Sequence, residues 1–254
     1  MVIEDPRHHS GPARIFTLDT PDHLAEQAAL EFQVRAKAAM EEAGRFAVAL
    51  SGGSTPKAMM QRLASPEYAS RVDWSRVHVF WSDERCVPPD DPNSNFALAQ
   101  HALLDQVSIP AANIHRMPGE RDPQEAAAAY DALLRAFFTG APAFDLTFLG
   151  LGPDGHTASL FPNSEALDVR DRYCAANKVA AHVVSPWRLT LTYSAINASK
   201  AVIFLVQGAD KADIVARVLE GPRDPKQLPA QGVAPERGTL TWLLDAAAAT
   251  KLTR

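Results

Sequence analysis

The chain has 254 residues, with 25 Lys and Arg against 30 Asp and Glu and a formal net charge of -5 at pH 7. That length is ample for a sizeable core and fits one α/β domain spanning residues 1–254, while the negative balance repels a nucleic-acid backbone in the mean. No window reaches the apolar length of a membrane span, and two cysteines, Cys86 and Cys174, make neither a disulfide scaffold nor a metal or redox motif, so a cytoplasmic, reducing setting is expected.

Residues 1–17 mix charge, histidine and proline and lack the apolar stretch of a signal peptide. Thr20-Pro21 reads as a helix cap with proline at the first helical position, and an apolar stripe carries the helix to about residue 42, where Gly44 ends it. Residues 46–50 form a nearly continuous apolar run, the mark of a strand covered on both faces. Ser51-Gly52-Gly53-Ser54-Thr55-Pro56 breaks that run, and a helix follows over 57–63. Residues 77–81 are the next strand, with Asp83-Glu84-Arg85 close behind. Helices are expected over 95–104 and 122–137, with a short strand at 114–117 between them. Residues 144–149 form another strand, which empties into Gly150-Leu151-Gly152-Pro153-Asp154-Gly155-His156. Residues 173–176, 180–184, 188–192 and 201–206 read as strands, 193–198 as a short helix and 210–219 as a longer one. Residues 221–238 are rich in proline and glycine and read as a loop. Residues 239–249 close the chain as a strand or a helix, and the alanines, with Trp242, Leu243 and Leu244, favour a helix after Thr241.

Strands that alternate with helices imply a mostly parallel central sheet with helices on both faces, and a small additional β-containing region is expected in the C-terminal half. Right-handed crossovers bring the loops after Leu50, Trp81 and Leu149 to one edge, where open α/β sheets bind ligands.

Three constellations at that edge carry chemistry. Ser51, Gly52, Gly53, Ser54 and Thr55 form a strand-to-helix turn whose amides and hydroxyls can converge on an anion; a plain tight turn and N-cap is the simpler reading, and the Gly-Lys-Ser/Thr end of a Walker loop is missing. Arg85 can hold a phosphate bidentately, with Asp83 or Glu84 orienting it or meeting sugar hydroxyls; a solvated turn is the alternative. The glycines at 150, 152 and 155 satisfy a dinucleotide pattern, yet they fall late in the chain, and the Asp154 carboxylate there repels a pyrophosphate. Asp154 with His156 suits proton transfer better, the carboxylate orienting the ring and stabilising its imidazolium form. Arg188 and Lys211 can add positive charge to the same pocket. His8, His9, His78, His101, His115 and His182 show no metal-ligand spacing and are expected at the surface or in the core.

These blocks carry a family resemblance. Leu50-Ser51-Gly52-Gly53-Ser54-Thr55-Pro56, Trp81-Ser82-Asp83-Glu84-Arg85, Ser94-Asn95, the run from Gly150 to Pro162, Arg188-Leu189-Thr190-Leu191-Thr192 and Gly208-x-x-Lys211 resemble, in order, those of the 6-phosphogluconolactonases. The resemblance implies a Rossmann-like three-layer αβα fold and hydrolysis of 6-phospho-D-glucono-1,5-lactone with no metal and no cofactor. Apart from the resemblance, a monomer with no nucleic-acid partner and no membrane partner is expected. The resemblance also implies that His156 is the general base, that Asp154 supports it or touches the sugar, and that residues 51–55, Arg85, Arg188 and Lys211 bind phosphate and other anionic oxygens. Asp83 is grouped with these substrate-binding residues.

The related glucosamine-6-phosphate deaminases share the Gly-x-Asp-Gly-His core but continue into Phe-Asn-Glu-Pro. This chain continues Leu160-Phe161-Pro162-Asn163-Ser164, with Glu165 displaced, which favours the lactonase. A phosphosugar-binding regulator would keep the anion loop while needing no reactive geometry at Asp154 and His156.

Overall fold

A computed structural model describes residues 3–5, 13–179 and 185–253. The expected strand at 180–184, and His8, His9 and His182, lie outside these residues. Ten strands are assigned among them: β1 (Ile3–Asp5), β2 (Ala13–Leu18), β3 (Phe46–Leu50), β4 (Val77–Trp81), β5 (Asp83–Arg85), β6 (Leu146–Leu149), β7 (Cys174–Lys178), β8 (Trp187–Leu191), β9 (Ala201–Val206) and β10 (Thr239–Asp245). The α-helices are α1 (Pro21–Ala43), α2 (Ser54–Ala64), α3 (Pro66–Ala69), α4 (Asn95–Ala102), α5 (Pro123–Phe138), α6 (Tyr193–Ile196) and α7 (Ala212–Leu219).

Seven strands form the main sheet in the order β1-β2-β10-β9-β6-β3-β4. All neighbours run parallel except the β1–β2 pair. The run at 46–50, expected to be covered on both faces, is fully buried, and so is every residue of β6 and β9. A second, antiparallel sheet has the order β5-β8-β7, so one of its strands comes from the N-terminal half of the chain.

Helix α1 begins and ends where the sequence marks it. Thr20 accepts a hydrogen bond from the His23 amide at 3.1 Å, and Gly44 closes the helix in a left-handed conformation. Of its expected apolar stripe Leu24, Ala28, Phe32 and Ala39 are buried, whereas Val34 is 67% exposed and does not belong to the packed face.

Three local expectations are corrected. Thr239–Asp245 is a strand rather than part of a helix; paired with β2 on one side and β9 on the other, it satisfies its backbone in the sheet, and this overrides the helix propensity of its residues. Ala13–Leu18 is a strand that the mixed N-terminal composition conceals. Residues 114–117 make only a single parallel bridge, Val79 to Ile114, beside the edge strand β4.

Candidate active site

The carboxyl ends of β3, β6 and β9 and the second sheet surround a cavity of about 380 Å³. Ser51, Gly52, Gly53, Asp83, Arg85, His156, Arg188 and Lys211 all line it. Ser54 and Thr55 instead line an adjoining recess of about 440 Å³, which shares Gly52, Gly53 and Lys211 with the main cavity. Asp154 reaches the cavity only through His156.

The histidine loop leaves β6 and folds back on itself. The Gly152 amide donates to the His156 carbonyl at 2.8 Å, and the Thr157 hydroxyl donates to the Gly150 carbonyl at 2.9 Å. The Ala230 amide donates to the Gly155 carbonyl at 2.9 Å and pins this loop to the long C-terminal one. The His156 ring lies 4.3 Å from the Phe161 ring, centroid to centroid, and a Cβ at position 152 would overlap it. Gly152 therefore makes room for imidazole, not for a pyrophosphate.

His156 Nδ1 lies 2.5 Å from Asp154 Oδ1, which also accepts the His156 amide at 3.1 Å. Burial works against the Asp154 charge, but the hydrogen bond and charge of His156 outweigh it and hold the carboxyl below its ordinary range. An ionised carboxylate only accepts, so the proton of neutral His156 sits on Nδ1 and the lone pair on Nε2. The loop thus presents one base.

The turn after β3 forms the opposite wall. Gly53 is the N-cap of α2 and supplies no side-chain acceptor to the first amides of that helix. Those donors stay available to an anion, which the helix dipole also favours. Gly52 packs against the Asn95 carboxamide, leaving no room for a Cβ.

Strand β5 holds the charged residues, and its two acids do different work. Glu84 is buried and accepts from Asn95 N (2.7 Å), Phe96 N (2.8 Å), Ser94 Oγ (2.9 Å) and Arg85 N (2.7 Å). It anchors the start of α4 and does not line the cavity. Burial raises its pKa in spite of the four donors. Asp83 does line the cavity, and accepts from Asn95 Nδ2 at 3.1 Å and Ser159 Oγ at 2.7 Å.

The register of β5 and β8 sets Arg85 directly opposite Arg188. Like charges opposed across a strand pair repel. Arg188 is only 7% exposed, and burial together with the Arg85 charge lowers its pKa. Arg85 Nη1 donates to the Asn93 carbonyl at 2.5 Å, and Arg188 Nη1 to the carbonyls of Ser185 (2.7 Å) and Trp187 (2.9 Å). Among the described residues neither guanidinium has a carboxylate within 4 Å. Two such cations beside an open cavity call for an anion from outside the chain. Lys211 closes the cationic side from the end of a 3-10 turn (Ala209–Lys211) after β9.

Two cavity residues had no role in the sequence reading. Asn95 and Ser159 both fall inside the motifs, but their partners lie 12 and 76 positions away, a juxtaposition that only the fold reveals. His78 and His115 pack against Phe80 and Phe137, away from the cavity.

Comparison with known proteins converges on one family. The family model described as glucosamine-6-phosphate isomerases/6-phosphogluconolactonase matches residues 19–242. A 6-phosphogluconolactonase of Nostoc sp. is 45% identical over 219 residues, covering 84% of this chain and 88% of the relative. One from Synechocystis sp. is 43% identical over 234 residues, 90% and 94% of the two chains. The solved structure of 6-phosphogluconolactonase from Trypanosoma cruzi superposes with a TM-score of 0.85 at 26% identity, covering 98% of this chain and all of that one.

Proposed function

The chain belongs to the glucosamine-6-phosphate isomerase/6-phosphogluconolactonase family, and from that premise we propose that it hydrolyses 6-phospho-D-glucono-1,5-lactone to 6-phospho-D-gluconate with His156 as the base. The observation that carries this reading is the Asp154–His156 pair, 2.5 Å apart at Nδ1, on the wall of a cavity lined by Arg85, Arg188 and Lys211.

The phosphate is anchored by the first amides of α2, by Lys211 and by one of the guanidiniums. This holds the ring at a fixed distance from His156, so binding energy is spent on orientation. His156 Nε2 takes a proton from a water aimed at C1. The water oxygen bonds to the lactone carbonyl carbon, and the carbonyl electron pair moves onto oxygen. Asp154 steadies the resulting imidazolium. The tetrahedral oxyanion at C1 needs positive or N–H donors of its own, a task for whichever guanidinium the phosphate does not engage. Collapse re-forms the carbonyl and breaks the C1–O5 bond, and the imidazolium proton goes to the departing O5. The products are a carboxylic acid, which ionises, and a ring-opened hydroxyl.

Ring opening of an amino sugar fits less well. In the segment after His156, Glu165 is itself exposed, at the start of a 3-10 turn, and does not line the cavity. The two free thiols, Cys86 and Cys174, support a cytoplasmic setting.

The test is a pH-based or coupled assay on freshly generated 6-phosphogluconolactone, corrected for spontaneous hydrolysis, with glucosamine 6-phosphate in parallel. Saturable acceleration of lactone loss is expected, with no release of ammonia from the amino sugar. The opposite pattern would replace the lactonase by a deaminase.

A further inference from the structure

Asp83 is a buried carboxylate with no cation within 4 Å among the described residues. Burying a charge in this way is costly unless hydrogen bonds hold it. The task of anchoring α4 is already taken by Glu84. What holds Asp83 is a pair of neutral donors from separate parts of the chain, Asn95 Nδ2 on Oδ1 at 3.1 Å and Ser159 Oγ on Oδ2 at 2.7 Å.

Both donors are themselves fixed. Ser159 donates its amide to Thr190 Oγ1 at 3.2 Å and accepts from Asn177 Nδ2 at 2.7 Å through its carbonyl. Asn95 gives a second bond to the Asp83 carbonyl oxygen at 2.9 Å and rests its carboxamide on Gly52. Asp83, Asn95 and Ser159 all line the cavity.

A carboxylate has about four acceptor positions and no donor. One on each oxygen is used within the chain. The rest belong to a rigid group on the cavity wall, and a ligand that displaces water from it must bring a donor of its own to satisfy them. Where a site is built to bond a hydroxyl, a ligand lacking it is rejected steeply, because the buried charge is left unpaired.

Resting on the lactonase reading above, we infer that Asn95 and Ser159 are positioning residues that hold Asp83 as a hydroxyl-selecting acceptor. The cavity then sorts phosphorylated lactones by their ring hydroxyls as well as by phosphate. Asp83 touches the substrate, and the other two act through it.

The experiment compares 6-phosphogluconolactone with its 2-deoxy, 3-deoxy and 4-deoxy analogues. The wild type should disfavour at least one analogue by about 100-fold in kcat/KM. Ser159→Ala should weaken the parent substrate by about tenfold, mainly through KM, and shrink the penalty on that analogue by a similar factor. Asp83→Asn should remove most of the penalty, and the double variant should be no worse than Asp83→Asn alone. A loss of the same factor for parent and analogues, or full additivity with Asp83→Asn, would overturn the inference. Thermal unfolding verifies that the variants fold, and Asn95→Ala runs the same cycle if Ser159→Ala does not. Calorimetric binding of 6-phosphogluconate and its deoxy forms separates the two claims. Hydroxyl selection in binding without lactone turnover defeats only the lactonase reading, and turnover without hydroxyl selection defeats only this inference.

Discussion

The two sheets contribute to the cavity in opposite ways. In the seven-stranded sheet β3 and β9 are wholly apolar and β6 is apolar but for Thr147, and the polar residues of the site stand in or beside the turns beyond their ends: Ser51 to Thr55 after β3, His156 after β6 and Lys211 after β9. The three-stranded sheet carries Asp83, Arg85 and Arg188 within the strands themselves. A turn can be tuned in shape, which suits the base and the anion-binding amides. A strand fixes its charges by register, so the spacing of Arg85 and Arg188 is as rigid as the β5–β8 pairing. In the proposed mechanism the large sheet supplies the reacting group and the small one the fixed electrostatic frame.

The sharpest way to break that division is at the base. His156→Ala should lower turnover by about 10²-fold or more while leaving binding of inorganic phosphate or 6-phosphogluconate nearly intact, as measured by steady-state kinetics and calorimetry. Full turnover in this variant would move the chemistry elsewhere. Next in size, Arg85→Ala or Arg188→Ala should raise KM by about tenfold or more with a smaller change in kcat, since each removes a charge-assisted contact to the ligand. Unphosphorylated gluconolactone should be affected far less by the residue that holds phosphate. Equal losses on both substrates would place that guanidinium at the lactone end.

Glu84 tests the comparison from inside β5. Glu84→Ala leaves four donors without their acceptor and should lower stability by roughly 2–4 kcal/mol in chemical denaturation. Asp83→Asn, one residue away, should affect specificity more than stability. The smallest effect lies away from both walls. His78 Nδ1 and His115 Nε2 are 3.2 Å apart, and burial, reinforced by His78, pushes His115 down to about 4. The unfolded chain therefore takes up this proton first, near pH 6.5. Stability from this site is present above that pH and drains away as pH falls toward about 4. His115→Phe should flatten the pH dependence of Tm over that interval, provided the ring stack with Phe80 is kept.

Much of this division was legible in the chain. Buried parallel strands need apolar residues on both faces, so β3, β6 and β9 are visible as runs, and the polar turns that follow them stand out by contrast. Thr20-Pro21 and Gly44 mark α1 because capping is local chemistry. The second sheet was less visible, since β5 is three residues of charge and its partner lies about a hundred positions away. The opposed arginines, the split roles of Asp83 and Glu84, and the Asn95 and Ser159 contacts all depend on pairings between distant segments. Strand β10 was misread for a related reason: its residues favour a helix locally, and only β2 and β9 make it a strand.

That placement of β10 has a consequence for how the molecule assembles. Within the main sheet, β2 has only β1 and β10 as neighbours. The early β1–β2 hairpin therefore joins the rest of the sheet through the last of the ten strands to be synthesised. Until β10 emerges, β2 offers an unpaired backbone edge and β9 another, both templates for pairing with another chain. Closing the sheet demands contacts across more than 200 residues of sequence, which slows folding and prolongs that exposure. The β1–β2 pair and β10 thus depend on each other, although the loops that line the cavity belong to neither.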